Sequence, residues 1–332
     1  MGVIMHAIPA PAFLFNLCVG YFAPRCLHLV TQLGVADVLG NTPMSSEELA
    51  RATGAHADSL HRMMRMLAAH GVFERRGHGW VHTDYSEHLK ERHPQSQRSF
   101  VLMMGNDINW SAAGVLGGTL RTGETACDAV SPGGLWPYLR ARPDEARIFD
   151  AAMNSKSHMA IGAVLQGMDF HRYEHIADIA GGRGHILTAI LDAAPCARGT
   201  LFDLPDVVAH ALTHPRMKGQ AGDFFTGPLP RADVYLLSNV LHDWTDPQAI
   251  AIFRRIREVA PPHAEVLVLE MMLPEGSEPH PAVAMDLIML SLTGGRERTQ
   301  GEYDILLAEG GFKLDRIIST DSPYSILVGK VA

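Results

Sequence analysis

What the chain lacks narrows it first. Its 332 residues hold only four cysteines (Cys18, Cys26, Cys127, Cys196), and no two stand in CxxC spacing. That argues against a zinc cluster or a disulfide framework and makes a reducing, cytoplasmic compartment the simple expectation. Excess positive charge is missing too, because 28 Lys and Arg against 36 Asp and Glu leave a formal charge of −8. Nucleic acid or an anionic membrane is therefore not expected as the main partner. The 18 histidines come without HExxH or clustered carboxylates of ligand spacing, so no metal is expected. No membrane span is expected either. Residues 8–24 are apolar but short, and they are interrupted by prolines and Asn16; no Lys or Arg precedes Arg25 to open a secretory leader. A buried helix that packs against a partner subunit is the expectation for this stretch.

A chain of this length favours two domains. Residues 11–98 read as the first. FLFNLCVGYFAPRCLHLVTQLGVADVL carries apolar residues at helical spacing and ends near Gly40. Ser45-Ser46-Glu47-Glu48 then supplies an N-cap and early acids for a second helix, followed by a turn at Gly54, a third helix and a stop at Gly71. VFERRGHGWVHTDYS predicts a hairpin turning at Gly77-His78-Gly79. This is a winged-helix outline, and it raises a DNA-binding regulator as a rival reading. Between 45 and 92, however, seven basic residues (51, 62, 65, 75, 76, 90, 92) meet seven acidic ones (47, 48, 58, 74, 84, 87, 91). Tight phosphate binding needs a basic surface, which this segment does not have.

Residues 99–332 read as the second domain. Its first part, 99–170, is mostly helical, interrupted by GVLGGTLRTGE and SPGGLWP. From 171 to 332 strands alternate with helices: HIADIAG, GTLFDLP, KGQAGDFF, ADVYLLSNVL and AEVLVLEMML are strands, with HILTAILDAA, VVAHAL and PQAIAIFRRIREVA between them. FKLDRIIST and YSILVGKV close the chain as an antiparallel pair. The pattern predicts an α/β fold with a doubly wound, mainly parallel, Rossmann-like sheet.

Ligands of such sheets sit at the carboxyl ends of the strands. The first strand ends in Asp178-Ile-Ala-Gly181-Gly182-Arg-Gly184, whose glycines let backbone approach a ligand. The spacing is not G-x-G-x-x-G, since Leu187 stands at the last position. That disfavours a dinucleotide pyrophosphate, and an acid at the mouth, Asp178, suits a cationic, phosphate-free cofactor: S-adenosyl-L-methionine. The second strand ends in Asp203-Leu204, an acid placed for ribose hydroxyls. The third ends in Gly222-Asp223-Phe224, an acid and an aromatic suited to adenine. The fourth reaches Ser238 and delivers His242 and Asp243 to the same crevice. A phenol with a pKa near 10 is poorly ionised at neutral pH, and a positioned histidine can remove its proton as the oxygen attacks a methyl group. The other ring nitrogen needs an acceptor. Glu270, at the end of the fifth strand, and Glu297, in GGRERT, are the two candidates.

Together the glycine turn, FDLP, GDFF, LHDW, VLVLEMMLP and GGRERT resemble the plant-type small-molecule O-methyltransferases, a family that includes caffeate, flavonoid and hydroxyindole O-methyltransferases and bacterial enzymes of antibiotic and pigment biosynthesis. The resemblance runs in order over nearly the whole chain. It implies S-adenosylmethionine-dependent methylation of a hydroxyl on a small aromatic substrate (phenolic, phenazine or polyketide type), with His242 as base flanked by Glu270 and Glu297. It also implies that the N-terminal domain forms an intertwined homodimer. Gly181, Asp203, Asp223, Phe224, Ser238 and Ser157 would contact the cofactor. Phe149 and Met153 would sandwich the substrate, with Asp243 and Met289 beside it. Two positions depart from the family. Ala180 stands where a glycine is usual, which is tolerable if its φ is negative. Ser238 stands where plant members carry lysine. Some relatives methylate ring nitrogen and lack the histidine, so N-methylation is the alternative reading.

Overall fold

The computed structural model describes residues 9–332, the side chains of 157–159 excepted. The chain divides into two compact units, Met1–Trp110 with Arg142–Ser155, and Ser111–Ala141 with Lys156–Ala332.

In the first unit the stretch expected as one long helix is three: Ala10–Val19, Phe22–Gln32 and Val35–Val38. Gly34, at φ 69°, takes the left-handed conformation that ends the second piece and resists other side chains. Nor is the opening helix buried. Phe13, Leu14, Phe15 and Leu17 are each more than half exposed and none of the helix's residues is buried, although a helix apolar all round calls for cover on every face. Taken through its turn, the longer stretch Ala10–Gln32 is long and apolar enough to cross a membrane by length and composition alone. The helix-turn-helix and hairpin follow the sequence closely. Ser45 and Glu48 form a reciprocal capping box on helix Ser46–Thr53, Gly54 is left-handed, and helix Ala57–Ala69 leads into β1 (Phe73–Arg76) and β2 (Gly79–His82). Leu49, Leu60, Met64, Leu67 and Trp80 form the core of this unit, with Trp80 Nε1 donating to Ser46 Oγ at 2.8 Å.

The second unit is built on seven strands: β3 (His175–Ile179), β4 (Arg198–Asp203), β5 (Met217–Ala221), β6 (Val234–Ser238), β7 (Glu265–Met271), β8 (Phe312–Ser319) and β9 (Tyr324–Val331). They lie in the order β5-β4-β3-β6-β7-β9-β8. The first five are mutually parallel, and β9 pairs antiparallel with both β7 and β8. Alternate residues of β6 and β7 enter two cores: Leu236, Leu267 and Leu269 on one face, Tyr235, Leu237, Val266 and Val268 on the other. Helices cover both faces, so these strands read as continuous apolar runs rather than alternating ones. Each fully buried aliphatic side chain here contributes about 1.5–3 kcal/mol.

Several local expectations change. GVLGGTLRTGE stays helical through Gly114, Gly117 and Gly118 in helix Asp107–Thr122, and the break comes only at Gly123, at φ 75°. VVAHAL yields only the short turn of helix Pro205–Val208. The fourth strand stops at Ser238, and His242 stands beyond it in a 3₁₀ turn, Leu241–Asp243. Asn239, with φ 52°, turns the chain out of the strand direction there; asparagine tolerates the left-handed region better than most residues.

Candidate active site

β4 and β6 flank β3 on opposite sides, so the strand order reverses at β3 and opens a crevice at its carboxyl end. The turn after β3 begins with Ala180 at φ 54°, not the negative value expected of a residue replacing glycine. Its amide donates to Phe202 O at 2.8 Å, which holds it in place. Gly181 has no room for a side chain, since an added Cβ would come 2.4 Å from the Asp178 carboxyl. Asp178 itself is buried beneath the turn rather than at the mouth of the crevice, and neither of its oxygens has a partner among the described residues. Burial, reinforced by the charge of Asp203, pushes its pKa up to about 8, so it is mainly neutral at pH 7.

Asp203 ties two strand ends together. Its Oδ2 accepts from Gly182 N at 2.8 Å and its Oδ1 from Leu204 N at 2.7 Å. Burial raises its pKa, while the two amide bonds oppose the rise. A carboxylate with one amide on each oxygen keeps accepting capacity on both. Leu204 is half exposed. After β5, Gly222 N bonds Asp203 O at 2.9 Å, and a side chain at Gly222 would collide with the Phe202 ring. Asp223 is exposed and accepts from Phe225 N at 2.8 Å. Phe224 packs edge-on against Phe225 and Trp244, with centroids 4.7 and 5.7 Å away. Ser238 is half-buried, its Oγ 3.3 Å from Asn239 Nδ2.

Around His242 the polar groups converge. Nδ1 lies 2.8 Å from Glu297 Oε1 and 3.4 Å from Glu270 Oε2. Glu270 also braces the backbone, its Oε1 accepting from the amides of Val240 (3.0 Å), Leu241 (2.9 Å) and His242 (3.4 Å). The 294–298 segment presses on the same turn. Arg296 N donates to His242 O, and a Cβ on Gly295 would come 2.0 Å from that oxygen. On the other side of the ring, Nε2 is 4.0 Å from Asp243 Oδ1. Burial alone would lower the histidine's pKa. The charge of Glu270, the Glu297 hydrogen bond and the charge of Asp243 outweigh it and raise the value to about 9. Glu270 is held up by burial against the pull of His242, and Asp243 is raised by burial likewise. By distance the His242, Glu270 and Glu297 donors could also surround an ion. The hydrogen bonds of an imidazolium between two carboxylates account for the same short contacts.

Three residues of this unit were not singled out in the sequence. Arg298 is fully buried and clamps the His242 turn, with Nη1 on Leu241 O (2.9 Å), Nη2 on Trp244 O (2.7 Å) and Nε on Asp246 Oδ1 (2.9 Å). Nothing in the spelling of RERT separates it from Arg296, which is half exposed. Trp244 follows LHD directly, and an aromatic next to the candidate base was a usable signal. Lys156 is buried and shares the electrostatic field of Asp243, Glu270 and Glu297. Met289 is buried on helix Pro281–Leu292, its sulfur 3.9 Å from Thr293 Oγ1. Phe149 and Met153 belong to the first unit, half-buried on helix Pro143–Gly167. The Ser157 side chain lies outside the described residues.

Comparison with known proteins gives this geometry its context. Residues 119–313 match the O-methyltransferase domain family, and residues 15–92 match the O-methyltransferase dimerisation domain. The chain belongs to the O-methyltransferase family. It is an S-adenosylmethionine-dependent methyltransferase with a Rossmann-like catalytic fold and a helical N-terminal dimerisation domain. It is 36% identical over 329 residues to the phenazine O-methyltransferase PhzM of Lysobacter antibioticus, covering 97% of this chain and 96% of that one. The crystal structure of LaPhzM superposes with a TM-score of 0.90 at 35% identity, covering 98% of this chain and all of the other. Human N-acetylserotonin methyltransferase, solved in complex with S-adenosylmethionine, gives a TM-score of 0.89 at 27% identity, with both chains fully covered.

Proposed function

We propose that this O-methyltransferase methylates a hydroxyl on a small aromatic ring of phenolic, phenazine or polyketide type, as a cytoplasmic homodimer, with His242 as the general base. The observation that carries the reading is the fully enclosed Glu297–His242 contact, with Nε2 turned away from both glutamates. Glu297 holds the proton on Nδ1 and so leaves Nε2 as the proton acceptor. Glu270 braces the turn and adds negative charge, so the imidazolium formed on proton removal is stabilised. A histidine near 9 facing a phenol near 10 makes the transfer close to thermoneutral.

The crevice fits the cofactor. Backbone at Gly181 and Gly182 lets its amino-acid portion come close, with Asp178 beneath the turn. Asp203 and Leu204 would take the ribose, and Gly222, Asp223, Phe224 and Ser238 would line the adenosine. Bound there, S-adenosylmethionine supplies an electrophilic methyl group for in-line transfer, and no metal is required. Asp243 and Met289 would border the acceptor.

The test is a pH–rate profile with His242→Ala beside wild type, on an unactivated phenol. His242 is protonated below about 9, so the wild-type rate should climb about tenfold per pH unit and level off near 9. The alanine variant should bind cofactor normally, lose about 10²–10⁴ in turnover at pH 7, and recover part of it near pH 10, where the phenol ionises unaided. Full activity of the variant at pH 7 would assign proton removal elsewhere and leave acceptor positioning to carry catalysis.

A further inference from the structure

Lys156 is a buried charge that the base mechanism leaves unused. It stands on helix Pro143–Gly167 within the second unit and is only 9% exposed. An ammonium is almost never buried without a partner, because lost hydration must be repaid by contact with an anion or acceptors. Among the described residues, no carboxylate oxygen lies within 4.0 Å of its ammonium and no hydrogen bond leaves it. None of its three donors is paired among the described residues. The charges it faces are those of the candidate site: Asp243 on the 3₁₀ turn, Glu270 on β7 and Glu297 on the 294–298 segment. Burial lowers its pKa, and these three acids oppose the fall.

A plain counter-ion role does not account for this. A lysine retained to neutralise three carboxylates would touch one of them, as Arg298 touches Asp246 at 2.8 Å. The nearest acid in influence is Asp243, which also lies 4.0 Å from His242 Nε2. Lys156 therefore shares the field of the acid that lies beside Nε2, the ring nitrogen the acceptor must approach given that His242 is the base, and the inference rests on that reading.

We propose that Lys156 is a specificity-determining residue of the acceptor site, whose ammonium takes an anionic oxygen of the substrate ring. That oxygen has two possible sources, a carboxylate next to the methylated hydroxyl or the phenolate oxygen itself. In the second case the proton goes to His242 Nε2, and the lysine stabilises the charge left on oxygen until the methyl group arrives.

A matched pair of acceptors separates the sources: 3-hydroxy-2-naphthoate and 2-naphthol, each with wild type, Lys156→Met and Lys156→Arg. A charged hydrogen bond of about 1.5–3 kcal/mol corresponds to about a 10- to 100-fold change. If the carboxylate is the partner, Lys156→Met should raise KM by that factor for the naphthoate, the loss should be confined to it, and Lys156→Arg should restore most of it. If the phenolate is the partner, kcat should fall for both acceptors and the pH midpoint should move up. A Lys156→Met enzyme with wild-type kcat, KM and pH midpoint on both overturns the proposal. Should the variant fail to fold, wild type provides the second measurement. Reductive methylation of its five lysines (90, 156, 218, 313, 330), mapped by peptide mass, should be slowed at Lys156 by a millimolar concentration of one or both compounds. Absence of protection by either overturns it. Loss of activity in His242→Ala with an indifferent Lys156→Met would sink this proposal and leave the base assignment standing.

Discussion

At the scale of single residues, the site depends on charges whose values are set by burial rather than by type. His242 would titrate near 6.5 in water, yet the two glutamates and Asp243 hold its proton to about 9. The sign for stability follows from that rise. The imidazolium's contribution to folding is fully present below about 6.5 and is lost as pH climbs through 9, the same range in which the base becomes active. Arg298 is the residue through which this arrangement is held. Replacing it with methionine leaves the Leu241 and Trp244 carbonyls without their donor, while Asp246 keeps Arg296 at 3.5 Å. Urea denaturation should show a loss of about 3 kcal/mol, in the range for orphaning buried groups on a charged partner. Turnover should fall more than cofactor affinity, because the clamped segment carries the histidine and not the cofactor turn. An Arg298→Met enzyme of wild-type stability would mean that the three contacts contribute nothing net.

At the scale of elements, each functional group sits where a strand ends and backbone must turn sharply. Ala180 is the strained case. A left-handed conformation costs an L-residue about 1–2 kcal/mol, and glycine adopts it freely at some cost in unfolded-state entropy. Ala180→Gly should therefore stabilise the protein by about 0.5–1 kcal/mol, read from the shift of the urea midpoint at constant slope. Cofactor affinity should hold, since the Gly181 and Gly182 amides stay in place. A destabilised variant would show that the Ala180 methyl group makes a packing contribution exceeding its strain.

At the scale of the whole molecule, the exposed apolar surface of the opening helix is the unfinished feature. Four large apolar residues in five positions, each more than half exposed, form a patch that a soluble monomer rarely carries. The dimerisation-domain match begins within this helix, at residue 15. Light scattering should give a mass near twice 36.2 kDa, and deletion of residues 1–30 should leave aggregating protein. A monodisperse monomer at micromolar concentration would assign the patch to another partner, and a membrane surface would then be the next to test.

The sequence by itself determined the strand–helix alternation, the helix-turn-helix with its hairpin, and the order of chemistry at the strand ends. Those are local properties: apolar period, capping residues such as Ser45 and Glu48, and glycines at turns such as Gly54 and Gly77. It also brought His242 and Glu270 together as candidates, because adjacent parallel strands must place their ends side by side, while Glu297 entered through the GGRERT segment. Only the tertiary structure decided which glutamate bonds the ring, that Asp178 lies under its turn, that Ala180 is left-handed, and that Arg298 and Lys156 are buried while Arg296 is not. Each depends on which chain segments press against one another at ångström distances. Burial and distance set charge, strain and hydrogen bonding, and neither is encoded in the spacing of residues along one segment.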